Sequence, residues 1–148
     1  MFKYKYTTIV FVVFFVIILI VYFLSGKVIE KNDNLLNNNV KFSGIITNLN
    51  VSRNHAFGIL ELKMIETNNN LFKSSLGDRI YPYAIKGSVA EIYHYIPLEI
   101  KEGYKVLLNS NNKTISFYDG NKFLYESDIS IITEGTDVEF VKKHSILE

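Results

Sequence analysis

The chain has 148 residues, a length typical of one folded domain, and a formal net charge of +1. From Val40 onward it has 12 lysine and arginine residues against 13 aspartate and glutamate residues, which argues against the clustered positive charge of a nucleic-acid binder. It contains no cysteine, so disulfides, thiolate zinc sites and thiol nucleophiles are excluded.

An uninterrupted apolar run, IVFVVFFVIILIVYFL, extends from Ile9 to Leu24. Its 16 residues are about 24 Å long as a helix, and residues 7–26 together are long enough to cross about 30 Å of hydrocarbon. The run is too long for a buried strand, and tyrosines near both ends match the position of an aromatic belt. We therefore predict a transmembrane helix over about residues 7–26, within an N-terminal segment 1–26. A buried core helix is the alternative.

Signal peptides have a similar apolar segment, so a cleaved signal is the alternative to an uncleaved anchor. Lys3 and Lys5 match the positive start of a signal peptide, but the exit YFLSGK has no Ala-x-Ala cleavage pattern. We predict an uncleaved, single-pass anchor, with secretion after signal cleavage as the alternative. Lys27 and Lys31 follow the run, so the difference in positive charge between its two ends is slight. With the terminal amine counted, this difference favours a cytoplasmic N-terminus and an extracytoplasmic folded part.

The pattern of the chain changes twice after the apolar run. Residues 27–39 are polar and rich in asparagine, which predicts a short linker. From residue 40 the apolar period is two, most clearly in GILELKMIE (58–66), and turn signals such as Asp119-Gly120 recur. We predict a mainly β protein, in which a single N-terminal transmembrane helix precedes a small antiparallel β-barrel or sandwich domain over residues 40–148.

The three histidines do not suggest a metal site. His55 lies in a predicted turn, His94 in an aromatic strand, and His144 near the C-terminus. No pair has a metal-ligand spacing such as H-x-x-x-H, and the sequence has no nucleophile elbow, P-loop or dinucleotide motif. We predict no metal, no cofactor and no catalytic residue.

Carboxylates cluster late in the chain, at Asp128, Glu134, Asp137 and Glu139. They lack the tight alternating spacing of a calcium loop, so a solvated face is the favoured interpretation. The segment after Gly135 fits either a final strand or a short helix.

Four tyrosines are the most suggestive side chains. Tyr81 and Tyr83 share one side of a predicted strand, and Tyr93 and Tyr95 share one side of the next. If the strands pair, the rings could form an exposed face that stacks against sugars, bases or a peptide. The alternative is that they belong to the core, which we predict for at least two of the four.

The segment from Phe42 to Tyr95 resembles small uncharacterised membrane-anchored proteins of Bacteroidetes-type bacteria, which carry an OB- or SH3-like β-barrel. The residues that match are Gly44-Ile45-Ile46 in an early strand and Gly77-Asp78-Arg79-Ile80 in a later turn, with Arg79 in place of the usual serine. The resemblance implies a β-barrel fold and an envelope setting, and it implies no activity.

Three functions are compatible with these features. The favoured one is a non-enzymatic, membrane-anchored β domain of the cell envelope, which contacts the lipid bilayer through its helix, binds an envelope protein or glycan and binds no nucleic acid. The second is an OB-like ligand binder that uses the tyrosine face. The third is an envelope hydrolase that uses a pair of Asp/Glu residues, because paired carboxylates need no sequence motif.

Overall fold

The computed structural model describes residues 3–52 and 56–148. These residues divide into two compact units, with the boundary between Asn34 and Leu35. The first unit is helical, and the second contains a β-sheet and a short helix.

Helix α1, Lys3–Leu36, contains the apolar run. Its 34 residues correspond to about 51 Å, longer than the hydrocarbon core of a bilayer. The side chains from Ile9 to Leu24 have exposed fractions of 46 to 80%. The prediction of an N-terminal helix long and apolar enough to span a membrane is confirmed.

The predicted linker 27–39 is largely helical, because α1 continues to Leu36 without a break. Extending an existing helix adds a hydrogen bond with each residue, whereas starting a new one is costly, so the asparagines do not end it at once. The Lys27 ammonium also lies 4.7 Å from the ring centre of Phe23, one turn earlier. The helix ends at Leu36, whose carbonyl accepts a hydrogen bond from the Asn38 N–H at 2.8 Å, and Asn39 then adopts a φ of 57°.

The described residues of the second unit form ten strands and one further helix after the end of α1. The elements are β1 (Lys41–Val51), β2 (Phe57–Thr67), β3 (Leu71–Phe72), β4 (Ser75–Leu76), β5 (Arg79–Ile80), β6 (Tyr83–Lys86), β7 (Val89–Tyr95), β8 (Lys105–Asn109), β9 (Thr114–Asp119), β10 (Lys122–Asp128) and α2 (Gly135–His144).

Eight of these strands form one antiparallel sheet, in the order β10-β9-β8-β1-β2-β7-β6-β3, and β4 pairs with β5 separately. The mainly β, antiparallel prediction is confirmed. The sheet is open, because the described residues show no hydrogen-bonded pairing between its edge strands β10 and β3, so a closed barrel is not formed.

Strand β1 lies at the centre of the sheet, and its pairing with β2 is irregular. Its pairing with β2 shifts register between Ser43 and Gly44 and again between Ile46 and Asn48. Gly44 approaches β2 so closely that an added Cβ would lie 2.8 Å from the Lys63 carbonyl oxygen. Bulges of this kind bend a strand and increase its twist, so the sheet curls around one face.

The curled inner face encloses the larger core. It brings together buried side chains from six strands of the sheet, including Leu60 of β2, Tyr83 of β6 and Phe117 of β9. Leu36 and Val40 enter this core ahead of β1, each with 1% of its surface exposed.

Helix α2 covers part of the opposite face of the sheet. Val138 and Val141 of α2 pack against Phe57 and Ile59 of β2 and Tyr93 of β7, which form a second, smaller core. The C-terminal segment therefore forms a short helix, one of the two forms that the sequence allowed.

The burial of Leu36 predicts that the β domain begins before residue 40. In a soluble chain of residues 35–148, Leu36→Ala should lower the free energy of unfolding by about 2–3 kcal/mol, because it empties a closely packed site near the chain end. Urea unfolding followed by circular dichroism measures this loss. The exposed neighbour Asn37 supplies the control, since Asn37→Ala should change stability by less than about 0.5 kcal/mol. Equal midpoints for the two variants would contradict the packing of Leu36.

Candidate functional site

The four tyrosines singled out in the sequence do not share one face. Strand β6 pairs with β7 so that Tyr83 lies opposite Ile92, and both point into the larger core. Tyr93, the next residue along β7, therefore points to the opposite side and lies in the core beneath α2. Tyr83 and Tyr93 have 0% and 1% of their surface exposed, Tyr81 is half-buried and Tyr95 is 52% exposed.

The two buried tyrosine hydroxyls both have polar partners. The Tyr83 hydroxyl donates to Asn38 Oδ1 at 2.8 Å, and burial of the phenol raises the pKa of Tyr83 to about 12. The Tyr93 hydroxyl donates to Glu91 Oε2 at 2.8 Å, and burial together with this carboxylate raises the pKa of Tyr93. Both side chains are satisfied core residues with no surface to offer a ligand.

Truncating either buried tyrosine should therefore destabilise the domain strongly. Tyr83→Ala and Tyr93→Ala should each cost about 3–5 kcal/mol, because each removes a fully buried aromatic ring and one hydrogen bond to a polar side chain. Urea melts measure the loss. Phe123→Ala is the matched control, since this ring is 54% exposed and its removal should cost under about 1 kcal/mol. Wild-type midpoints for both tyrosine variants would show that these rings do not support the fold.

Glu91 is a fully buried carboxylate on β7, beside Tyr93. Besides the Tyr93 hydroxyl, it accepts hydrogen bonds from the Ser145 hydroxyl and, at 2.9 Å, from the Ile146 backbone N–H. These donors come from the segment that follows α2, so the carboxylate holds the C-terminal tail against the sheet. Such a charge is tolerated in the interior only when several donors satisfy it.

The late carboxylates do not form one cluster. Asp128 and Glu139 are exposed, and Glu134 is the residue that precedes α2. Asp137 differs from the predicted solvated face, because only 6% of its surface is exposed and its Oδ2 accepts the Tyr95 hydroxyl at 3.2 Å. It lies in the first turn of α2, where the helix dipole favours a negative charge.

The histidines are also separate. His55 lies outside the described residues, and His144 is exposed at the end of α2, with its ring 4.6 Å from that of Phe140. His94 is half-buried on the inner face of β7, and its Nε2 lies 3.1 Å from the Ser127 hydroxyl of β10. Within residues 3–52 and 56–148, no group of three or more His, Asp and Glu side chains is arranged to hold a metal ion.

Burial lowers the pKa of His94 below its ordinary value of 6.5, which predicts a pH-dependent stability. The unfolded chain then binds a proton more readily than the folded one. The contribution of His94 to the free energy of unfolding is therefore complete above about pH 6.5 and is lost as the pH falls through the pKa of the folded state. The loss is about 1.4 kcal/mol for each unit by which the folded pKa lies below the unfolded one.

Thermal melts between pH 7.5 and pH 5 measure this effect. His94→Gln should flatten the fall of the melting temperature on acidification, whereas the exposed His144→Gln should keep the wild-type slope. An unchanged slope for His94→Gln would contradict the lowered pKa.

The contact between His94 and Ser127 marks a seam on the inner side of the curled sheet, where β7 and the edge strand β10 approach each other. The loop that follows β7 lies beside β10 at this seam and borders a recess of about 400 Å³. We call it the seam recess. The residues that line it are Pro97, Glu99, Ile100, Tyr104, Leu124 and Tyr125.

The loop wall of the seam recess is held by backbone hydrogen bonds and one apolar anchor. The Ile46 N–H of β1 donates to the Tyr104 carbonyl at 2.9 Å, and the Gly103 N–H donates to the Ile46 carbonyl at 2.9 Å. Ile100 is buried in the larger core, and Gly103 has a φ of 87°, which glycine adopts without strain. The bulged part of β1 therefore positions Tyr104.

The β10 wall is formed by Tyr125, whose ring stacks on that of Phe117 with 4.7 Å between centroids and 13° between planes. Its hydroxyl oxygen is buried and has no hydrogen-bond partner among the described residues. Burial and the nearby Glu99 carboxylate raise the pKa of Tyr125, so the phenol stays protonated.

Sequence reasoning missed Tyr104 and Tyr125. The two residues are 21 positions apart, so no spacing links them. Tyr104 directly precedes β8, which is two strands from β10 in the sheet, so the order of the strands brings the two residues to one recess. The one signal that could have found them is the high tyrosine content, which does not say which rings meet.

Comparison with known proteins gives no relative for this chain: no family model matches it, and neither the curated proteins nor the solved structures contain a match. The function must therefore be argued from the helix and the β domain themselves.

Proposed function

We propose that this protein is a single-pass membrane protein of the cell envelope, in which α1 is an uncleaved anchor and the β domain is a non-enzymatic binding module. The observation that carries the proposal is the bare apolar surface of α1, since every side chain from Ile9 to Leu24 is exposed. A surface of this size is unfavourable in water and favourable in a bilayer, where the helix satisfies its own backbone.

The seam recess supports binding rather than hydrolysis. Its lining holds one carboxylate, Glu99, whereas acid–base hydrolysis by carboxylates uses a pair on either side of the substrate. The rest of the lining is two tyrosines and three apolar side chains, a composition typical of recognition sites. The partner in this proposal is an envelope protein or glycan that reaches the recess.

The orientation that we propose places the N-terminus in the cytoplasm and the β domain outside it. Lys3 and Lys5 precede the apolar run, and Lys27 and Lys31 follow it. Positive charge next to a span is retained on the cytoplasmic side, and we assign that side to the end that carries Lys3 and Lys5.

The anchor predicts that full-length protein stays in the membrane pellet after high-salt and alkaline carbonate washes. The double variant Ile17→Lys, Ile18→Lys should move it to the supernatant, since each lysine at the helix centre costs about 2.5–3.5 kcal/mol on insertion. Asn34→Lys, which adds a charge beyond the apolar run, should leave the protein in the pellet. Recovery of a soluble product that begins near Lys27 would show a cleaved signal and contradict the anchor.

The absence of cysteine allows the orientation to be measured directly. Asn121→Cys, in the exposed turn between β9 and β10, should react with a membrane-impermeant maleimide on intact spheroplasts. A cysteine inserted after Met1 should react only after the membrane is permeabilised. The reverse pattern would place the β domain in the cytoplasm.

A further inference from the structure

The seam recess has a chemistry that selects a particular ligand group, and the inference drawn from it rests on the proposed binding function. Glu99 is the one charged side chain among the described residues that line it, and it is negative. The two rings in the lining, Tyr104 and Tyr125, offer π-electron density, which attracts cations. Both features favour a positively charged guest over a neutral or negative one.

The chain itself shows that one of these rings accepts an ammonium group. The Nζ of Lys101 lies 5.4 Å from the ring centre of Tyr104, within the range of a cation–π contact. Lys101 is exposed and sits on the same loop as Glu99, so this contact can be exchanged for one with another amine. A lysine side chain is thus the right kind of group for this ring.

The recess offers few polar groups to a ligand. The Tyr125 hydroxyl oxygen is buried, so a ligand in the recess does not reach it. A glycan needs several converging donors and acceptors, whereas the described side chains that line this recess leave only the Glu99 carboxylate and the Tyr104 hydroxyl for that role. The lining therefore matches one ammonium group with an aliphatic stem better than it matches a sugar.

We propose that the seam recess binds a primary alkylammonium group of the kind carried by a lysine side chain, with Glu99 as counter-ion and Tyr104 and Tyr125 as aromatic walls. Leu124, Ile100 and Pro97 contact the aliphatic stem. Lys101 competes with the ligand for the face of Tyr104.

The test is a titration of full-length protein in micelles of a non-ionic polyoxyethylene detergent, with ring-labelled tyrosines followed by NMR. Nα-acetyl-lysine methylamide should shift the signals of Tyr104 and Tyr125 in a saturable way. The norleucine analogue has a similar stem without the ammonium, and it should bind at least about fivefold more weakly. Equal binding of the two compounds, or no shift of either ring, would overturn the proposal.

Variants on the exposed loop sharpen the test without disturbing the core. Glu99→Gln should weaken lysine binding at least about threefold, and Glu102→Gln, an exposed carboxylate on the same loop outside the lining, should leave it unchanged. Lys101→Met should strengthen binding by about two- to threefold, because it removes the internal competitor. Equal effects of Glu99→Gln and Glu102→Gln would assign the attraction to general charge and overturn the site.

A third arm separates this inference from the proposed function. Saturable shifts of Tyr104 and Tyr125 with an N-acetylglucosamine oligomer, and none with the lysine compound, would overturn the ammonium site while the recess kept its binding role. Loss of membrane retention in the carbonate assay would overturn the anchor and leave the titration result intact.

Discussion

The irregular pairing of β1 is the constraint on which the β domain depends. A straight β1 would pair with β2 and β8 in a flat sheet, and the side chains of the outer strands would then lie too far apart to share one core. The two register shifts next to Gly44 and Ile46 bend the strand instead. Gly44 makes the first of them possible, since the space for a Cβ is taken by the Lys63 carbonyl. On the side of β1 that faces β8, the backbone of Ile46 holds the loop that carries Tyr104.

The two faces of the sheet are filled in different ways. The inner face closes mainly on aliphatic and aromatic side chains, whereas the face beneath α2 also contains the buried carboxylate of Glu91. That charge is satisfied only when the residues after α2 dock against β7. Docking of the C-terminal tail is thus coupled to folding of the sheet, because an undocked tail would leave a buried charge with too few donors.

The proposed function joins two parts whose chemistry is separate. The helix needs only length and apolar surface, and its sequence is accordingly simple. The binding role depends on the seam recess, where the loop between β7 and β8 meets the edge strand β10. A recess formed in this way is sensitive to the curl, so residues far from it, such as Gly44, contribute to its shape.

The sequence by itself determined the features that depend on local pattern. The continuous apolar run determined an N-terminal helix, the alternation in 58–66 determined strand β2, and Asp119-Gly120 determined the hairpin of β9 and β10. Only the tertiary structure decided that Tyr83 and Tyr93 lie on opposite faces, that Leu36 belongs to the core, and that Tyr104 and Tyr125 line one recess. The physical reason is that strand register, bulges and curl arise from pairing between distant segments, and no local period of the sequence records which segments pair or where a register shifts.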